Sequence, residues 1–225
     1  MTKTLERPFN CSNFKYPFPG VEQIKQNYSQ ANQDLFVLSM LDGRRNGTWL
    51  DIGCGWPLHI NNTALLEFDF DWQGVSVDSY QTVLDEWPNV RTSAATHGCG
   101  YKVNFANLIT DHGITKTHID YLSLDCDPAN QTYDILLRIP FDKYQFAVIT
   151  FEHDHDLQVQ KKAQAYLAQH GYKLVVCNIS DQGIANPYED WYVHPDLVDQ
   201  AKIAQHLADD ATPKDYVKYF FQNTP

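Results

Sequence analysis

At 225 residues and 43% hydrophobic content, the chain has the length and composition of one well-filled globular domain. Its 28 acidic residues against 17 basic ones give a net charge of -11. The average field therefore repels nucleic-acid backbones and anionic membrane surfaces, and neither is expected as a partner.

No run approaches the ~18 apolar residues that a membrane-spanning helix needs. The opening stretch MTKTLERPFNCSNFKYPFPG has neither the apolar core of a signal peptide nor the Arg-rich, acid-free character of a transit peptide. The five cysteines (Cys11, Cys54, Cys99, Cys126, Cys177) are scattered without CxxC spacing. Together these features lead us to expect a cytoplasmic chain with reduced, buried thiols.

Taken in order, residues 1–28 are rich in Pro and aromatics and read as an irregular arm. A helix is expected over 30–41, then a strand over 48–53 (TWLDIG), a helix over 62–68, a strand over 74–78 (GVSVD) and a helix over 80–87. A strand over 89–96 (NVRTSAAT), a helix over 102–113, a strand over 119–125 (IDYLSLD) and a helix over 130–139 follow. The series closes with a strand over 146–152 (FAVITFE), a helix over 157–171, a strand over 172–179 (YKLVVCNI) and a shorter strand over 190–195.

Near-continuous apolar runs such as FAVI and LVVC are what strands buried on both faces require, and their alternation with helices indicates βα units winding a mostly parallel sheet. The expected organisation is one α/β domain over 29–212, with residues 213–225 as a tail. The tail aromatics in DYVKYFF fit i, i+3, i+4 spacing. They suit a helix packed on its own domain better than a homodimer face or a lid. Asn61 or Asn62, Ser79 and Asp156 stand at N-cap positions, and Gly171 at a helix stop. Trp49, Trp72 and Trp87 are expected in the core.

The most specific local feature is TWLDIGCGWP: an apolar strand, a carboxylate (Asp51) near its end, then Gly53, Cys54 and Gly55 before a helix. The glycines permit a tight turn and close approach of a ligand to the backbone. The next strand ends in Asp78, 25 residues after Gly53, where a carboxylate can take both hydroxyls of a ribose. Ser79 and Ala95 lie beside it, and THGCGY (96–101) can line an adenine pocket. The GK[ST] ending of a phosphate loop is missing, and Trp56 and Pro57 stand where a third glycine would. Asp51 suits a cationic sulfonium better than an anionic pyrophosphate.

In order, SQANQD (29–34), WLDIGCGWP (49–57), NNTALLE (61–67), WQGVSVD (72–78), IDYLSLDCDP (119–128) and ITFEHD (149–154) resemble the FkbM-type S-adenosylmethionine-dependent methyltransferases, over roughly 29–195. The resemblance implies a Rossmann-like class I methyltransferase fold with a doubly wound, seven-stranded sheet and a reversed last strand. It also implies methyl transfer to a hydroxyl of a sugar or other small molecule. Asp51 and Gly53 then fall in the cofactor loop, Asp78 at the ribose, and Asp125 beside the reacting methyl. GCGWP and LDCDP depart from the usual pattern at the third glycine and at LDVEG.

Strand-end carboxylates gather where α/β sheets bind ligands. Adjacent fourth and fifth strands would set DCD (125–127) beside EHDHD (152–156). His153 is the first candidate for the base that removes the acceptor's proton, with Asp125 and Glu152 second, and with Asp127 and Asp154 contacting the acceptor. His155 and Asp156 are assigned to the turn and the next helix cap. A divalent metal held by the Glu152–Asp156 cluster is a less favoured alternative, because strand alternation would split its ligands between two faces. A binding module without catalysis is the third reading, and it predicts an occluded rim.

Overall fold

The computed structural model describes residues 8–180, 187–207 and 214–222. One sheet runs through the molecule in the order β3-β2-β1-β4-β5-β7-β6-β8. Its strands are β1 (Thr48–Ile52), β2 (Gln73–Asp78), β3 (Ala94–His97), β4 (His118–Leu124), β5 (Gln145–Glu152), β6 (Lys173–Ser180), β7 (Glu189–Val193) and β8 (Lys214–Asp215). All pairings are parallel except those of β7, which runs antiparallel between β5 and β6. The expected α/β doubly wound sheet with a reversed late strand is therefore present, with an eighth, two-residue strand from the tail.

Helices α1 (Gln33–Met40), α2 (Ala64–Phe70), α3 (Gln81–Leu84), α4 (Phe105–Asp111), α5 (Ala129–Leu136), α6 (Leu157–Gln169), α7 (Gln200–His206) and α8 (Tyr216–Phe220) cover the sheet. Two apolar cores form, one on each face. Trp49, Tyr121, Val148 and Trp191 pack with α1, α2 and α7 on one side. Leu50, Leu122, Ile149 and Tyr192 pack with α4, α5 and α6 on the other. Among the described residues no helix is long and apolar enough to cross a membrane.

Several expected boundaries shift for local reasons. The strand expected over 89–96 begins only at Ala94, because Trp87–Asn89 form a 3-10 turn containing Pro88, and Arg91 turns inward to pair with Glu67 at 2.6 Å. Asp156 does cap α6, accepting from the amides of Gln158 (2.8 Å) and Val159 (3.0 Å). Ser79 does not cap α3; its neighbour Asp78 instead accepts from Tyr80 N at 2.8 Å. Asn61 acts ahead of α2 by accepting from Thr63 N at 3.0 Å. All five cysteines are free, and only Cys54 is buried.

The arm and tail meet. Phe14 pairs with Phe221 across an isolated bridge, Lys15 N donates to Phe220 O (2.9 Å), and Gln222 N donates to Asn13 O (2.8 Å). Phe14 and Phe18 enter the same apolar core as Trp191 and Phe220.

Candidate functional site

Chain order reverses beside β1: β2 and β3 lie on one side of it, β4 and β5 on the other. Loops leaving the carboxyl ends of β1 and β4 therefore diverge and leave a crevice. A cleft of about 540 Å³ occupies it, within the size range of small-molecule sites. Its walls are Gly53–Trp56 and Ile60 after β1, Asp78–Tyr80 and Val83 after β2, Gly98–Gly100 after β3, and Asp125–Asp127 with Gln131 and Ile135 after β4.

The floor is a glycine turn. Gly53 has φ +80°, and a Cβ there would lie 1.7 Å from the Asp125 carbonyl oxygen, so no other residue fits. Gly55 has φ +58° with open space where a Cβ would project. Gly53 N and Cys54 N donate to Val77 O (2.9 and 3.2 Å), tying the turn to β2. Asp78 completes the clasp: Oδ2 accepts from Gly55 N (2.9 Å) and Oδ1 from Tyr80 N (2.8 Å). Its carboxylate is thereby fixed in the cleft wall with lone pairs left for a ligand's hydroxyls.

Behind the turn, Arg91 holds the segment that follows it. The guanidinium donates to Glu67 (2.6 Å), Pro57 O (2.9 Å), Asn61 Oδ1 (2.9 Å) and Thr63 Oγ1 (3.0 Å), and it lies 4.8 Å from the Trp87 ring centre. Asn61 Nδ2 in turn donates to Cys54 O and Trp56 O, both at 3.1 Å. Burial lifts the Glu67 carboxyl, but Arg91 and the Ser93 and Thr92 donors outweigh it and bring it down to about 2.

The sequence-derived residues fall into three groups. Gly53, Cys54, Gly55, Asp78, Ser79, Asp125 and Asp127 line the cleft. Asp51 and Ala95 do not. Asp51, within β1, is buried in the sheet, 3.4 Å from Thr63 Oγ1, and burial pushes its carboxyl up to about 7 despite the Ser123 hydroxyl and Arg91. Ala95 packs with Cys54, Val83, Leu84 and Trp87 under the cleft wall.

Glu152 and Asp154 extend the rim from β5. The Glu152 and Asp125 carboxyls hydrogen-bond each other, and Asp154 bonds to Glu152 and Asp127. The contact between Glu152 and Asp125 requires a shared proton. Burial first, and Asp125 second, push Glu152 far above the carboxylate range. Asp125 and Asp154 are raised as well, again chiefly by burial.

His153 requires a correction. The expectation sets it at the rim beside Asp125, but its side chain is fully buried on the opposite side of β5, with Nε2 3.7 Å from Asp190 Oδ1. Strand alternation explains the difference: Glu152 points to one face of the sheet, so its neighbour points to the other. There, Asp190 also accepts from Gln160, Gln164, Asn178 N and Tyr192 Oη. The turn itself uses two left-handed residues, Asp154 (φ +47°) and His155 (φ +65°), and His155 Nδ1 meets Pro187 O at 2.8 Å. Among the described residues no group of three or more His, Cys, Asp or Glu side chains is arranged to hold a metal ion.

The structure adds cleft residues that pattern reading did not select: Tyr80, Val83, Cys126, Gln131 and Ile135. Their signal was position alone, since each follows the carboxyl end of a predicted strand. Gly98–Gly100 come from the THGCGY segment. Glu189, in the EDW segment (189–191) that opens β7, belongs to the same edge. It pairs in register with Glu152, accepts from Gln33 Nε2 at 2.8 Å, and is pushed up to about 8 by burial and then by Asp125.

The fold, one mostly parallel sheet covered by helices, is that of solved Rossmann-like methyltransferase domains. The chain superposes on the METTL16 MTase domain with TM-score 0.50 at 12% identity, covering 72% of this chain and 66% of that one. Weaker likenesses include N-methyltransferase NodS from Bradyrhizobium japonicum WM9 (TM-score 0.48, 10% identity, 73% and 94% covered). Aeropyrum pernix fibrillarin, solved with natively bound S-adenosyl-L-methionine, gives TM-score 0.46 at 14% identity, with 67% of each chain covered. No family model and no curated protein matches the chain.

Proposed function

We propose that this chain is an S-adenosylmethionine-dependent methyltransferase of FkbM type that methylates a hydroxyl oxygen of a sugar or another small molecule. The observation that carries the reading is Asp78: a carboxylate held by Gly55 N and Tyr80 N in the wall of a cleft floored by an obligatory glycine turn. The cleft fits the cofactor's chemistry. Asp78 can accept from ribose hydroxyls, Gly55 leaves its Cβ space open for close approach, and the carboxyl oxygens of Asp125 and Asp127 suit a sulfonium. When bound, the cofactor supplies an activated methyl group.

The chain's own task is to orient the acceptor and take its proton. The Asp125–Glu152 pair shares a proton, and Asp125 is the member that lines the cleft. Asp125 accepts the acceptor's hydroxyl proton while the Glu152 carboxyl donates to it. Asp127 and Asp154 hold neighbouring hydroxyls of the acceptor.

A base at hydrogen-bond distance contributes about 10²- to 10⁴-fold. Asp125→Asn therefore lowers turnover by at least about 100-fold with a much smaller effect on S-adenosylhomocysteine affinity. Turnover in the wild type rises with pH as the raised Asp125 carboxyl ionises. The test supplies methyl-tritiated S-adenosylmethionine with panels of glycosides and small alcohols and analyses the labelled product. An alkali-stable methyl ether supports the reading, whereas label recovered only as N-methyl or methyl-ester product overturns the hydroxyl acceptor.

A further inference from the structure

Two exposed aromatic rings border the cleft. Of the five tryptophans, Trp49, Trp72, Trp87 and Trp191 are at most 2% exposed, whereas Trp56 is 37% exposed and lines the cleft. Tyr80 is 71% exposed on the adjoining loop, and Ile60 (42%) lies beside Trp56 in the same wall. Single exposed apolar residues are ordinary. These three share one concavity with a fixed carboxylate between them.

The placement is set by backbone bonds. Gly55 N, immediately before Trp56, holds one oxygen of Asp78, and Tyr80's own N–H holds the other. The two rings therefore issue from the two loops that clasp the same carboxylate. The Trp56 end is braced from behind, because Asn61 Nδ2 donates to Trp56 O while Arg91 grips Asn61 Oδ1 and Pro57 O. A braced backbone reduces the ordering cost of seating a ligand against the ring.

We propose that Trp56 and Tyr80 form an aromatic clamp on the adenosine portion of the cofactor, with Asp78 holding the ribose between them. The inference rests on the cofactor reading above and assigns two binding residues to it. A purine offers a flat π face, and stacking it on an aromatic ring corresponds to about 5- to 150-fold in affinity per base. The indole stands where a third glycine of the turn would, so this loop supplies a ring in place of a bare backbone.

Because Trp56 is the one tryptophan of five that is exposed, its emission reports the clamp. The test titrates the full chain with S-adenosylhomocysteine and with adenosine, following both heat and tryptophan fluorescence excited beyond adenine absorption. In the wild type both ligands alter the emission. In Trp56→Phe the emission stays constant while heat still reports binding. Trp56→Ala and Tyr80→Ala each weaken both ligands by about 10-fold, within the stacking range, and both are surface changes that leave the unfolding midpoint nearly unchanged.

Calorimetric binding of S-adenosylhomocysteine to the wild type, with both alanine variants binding within about twofold of it, overturns the clamp and leaves the cofactor reading standing. No heat with the wild type removes the cofactor reading and the clamp together.

Discussion

Arg91 illustrates how single buried charges shape this site. Its side chain is fully buried, and its ion pair with Glu67 is 2.6 Å long. Leaving one member of such a pair unpartnered costs about 3–5 kcal/mol. Glu67→Gln is therefore expected to lower unfolding free energy in urea by about that amount at pH 7. Because the Glu67 carboxyl is held near 2 in the fold, its stabilisation is complete above the ordinary carboxylate range and is lost as pH falls towards 2. The variant's acid limb is correspondingly shallower.

Glu189 and Asp51 carry the opposite sign. Raised to about 8 and about 7, they favour the fold fully below the ordinary carboxylate range and progressively lose that contribution as pH rises through those values. Glu189→Gln should flatten the decline of stability between pH 5 and 8.5, measured by urea midpoints. An unchanged slope would show that Glu189 ionises normally in the folded chain.

The elements show which features were legible as pattern. The strands ending in Asp78 and Glu152 coincide with apolar runs because both faces of the sheet are covered, so the core leaves its mark on every residue. The segment 89–93 carries a comparable strand-like pattern, yet the Arg91 ion pair and Pro88 set its path, and no local period encodes a partner 24 residues away in the chain. Helix α7 was not expected, because Ile203 is its sole buried apolar residue and leaves no stripe to read.

Arm and tail join through Phe14, which stacks on Phe220 with centroids 5.8 Å apart, while Tyr16 lies on His206 of α7 at 3.7 Å. Phe14→Ala should cost about 3–5 kcal/mol and leave ligand affinity unchanged, since no described arm residue lines the cleft. Burial holds His206 down at about 3, so its contribution is complete above 6.5 and is lost as pH falls below that value.

At the scale of the whole molecule, seven carboxylates (Asp51, Asp78, Asp125, Asp127, Glu152, Asp154 and Glu189) collect towards the carboxyl edge of one sheet in a chain of net charge -11. That gathering was legible, because a parallel sheet brings all its strand ends to one side. Which of them face the cleft was not. The choice depends on strand alternation and loop path, which buried Asp51 within the sheet and turned His153 towards Asp190. The path of the segment after Gly55 likewise depends on Asn61 and Arg91 reaching in from other segments. The direct measurement of cofactor recognition is calorimetric titration of the full chain with S-adenosylhomocysteine, wild type against Asp78→Ala. The expected result is saturable one-site binding to the wild type, a raised unfolding midpoint in excess ligand, and loss of both in the variant; wild type giving no heat, or Asp78→Ala binding as tightly as wild type, would exclude recognition of the cofactor through Asp78.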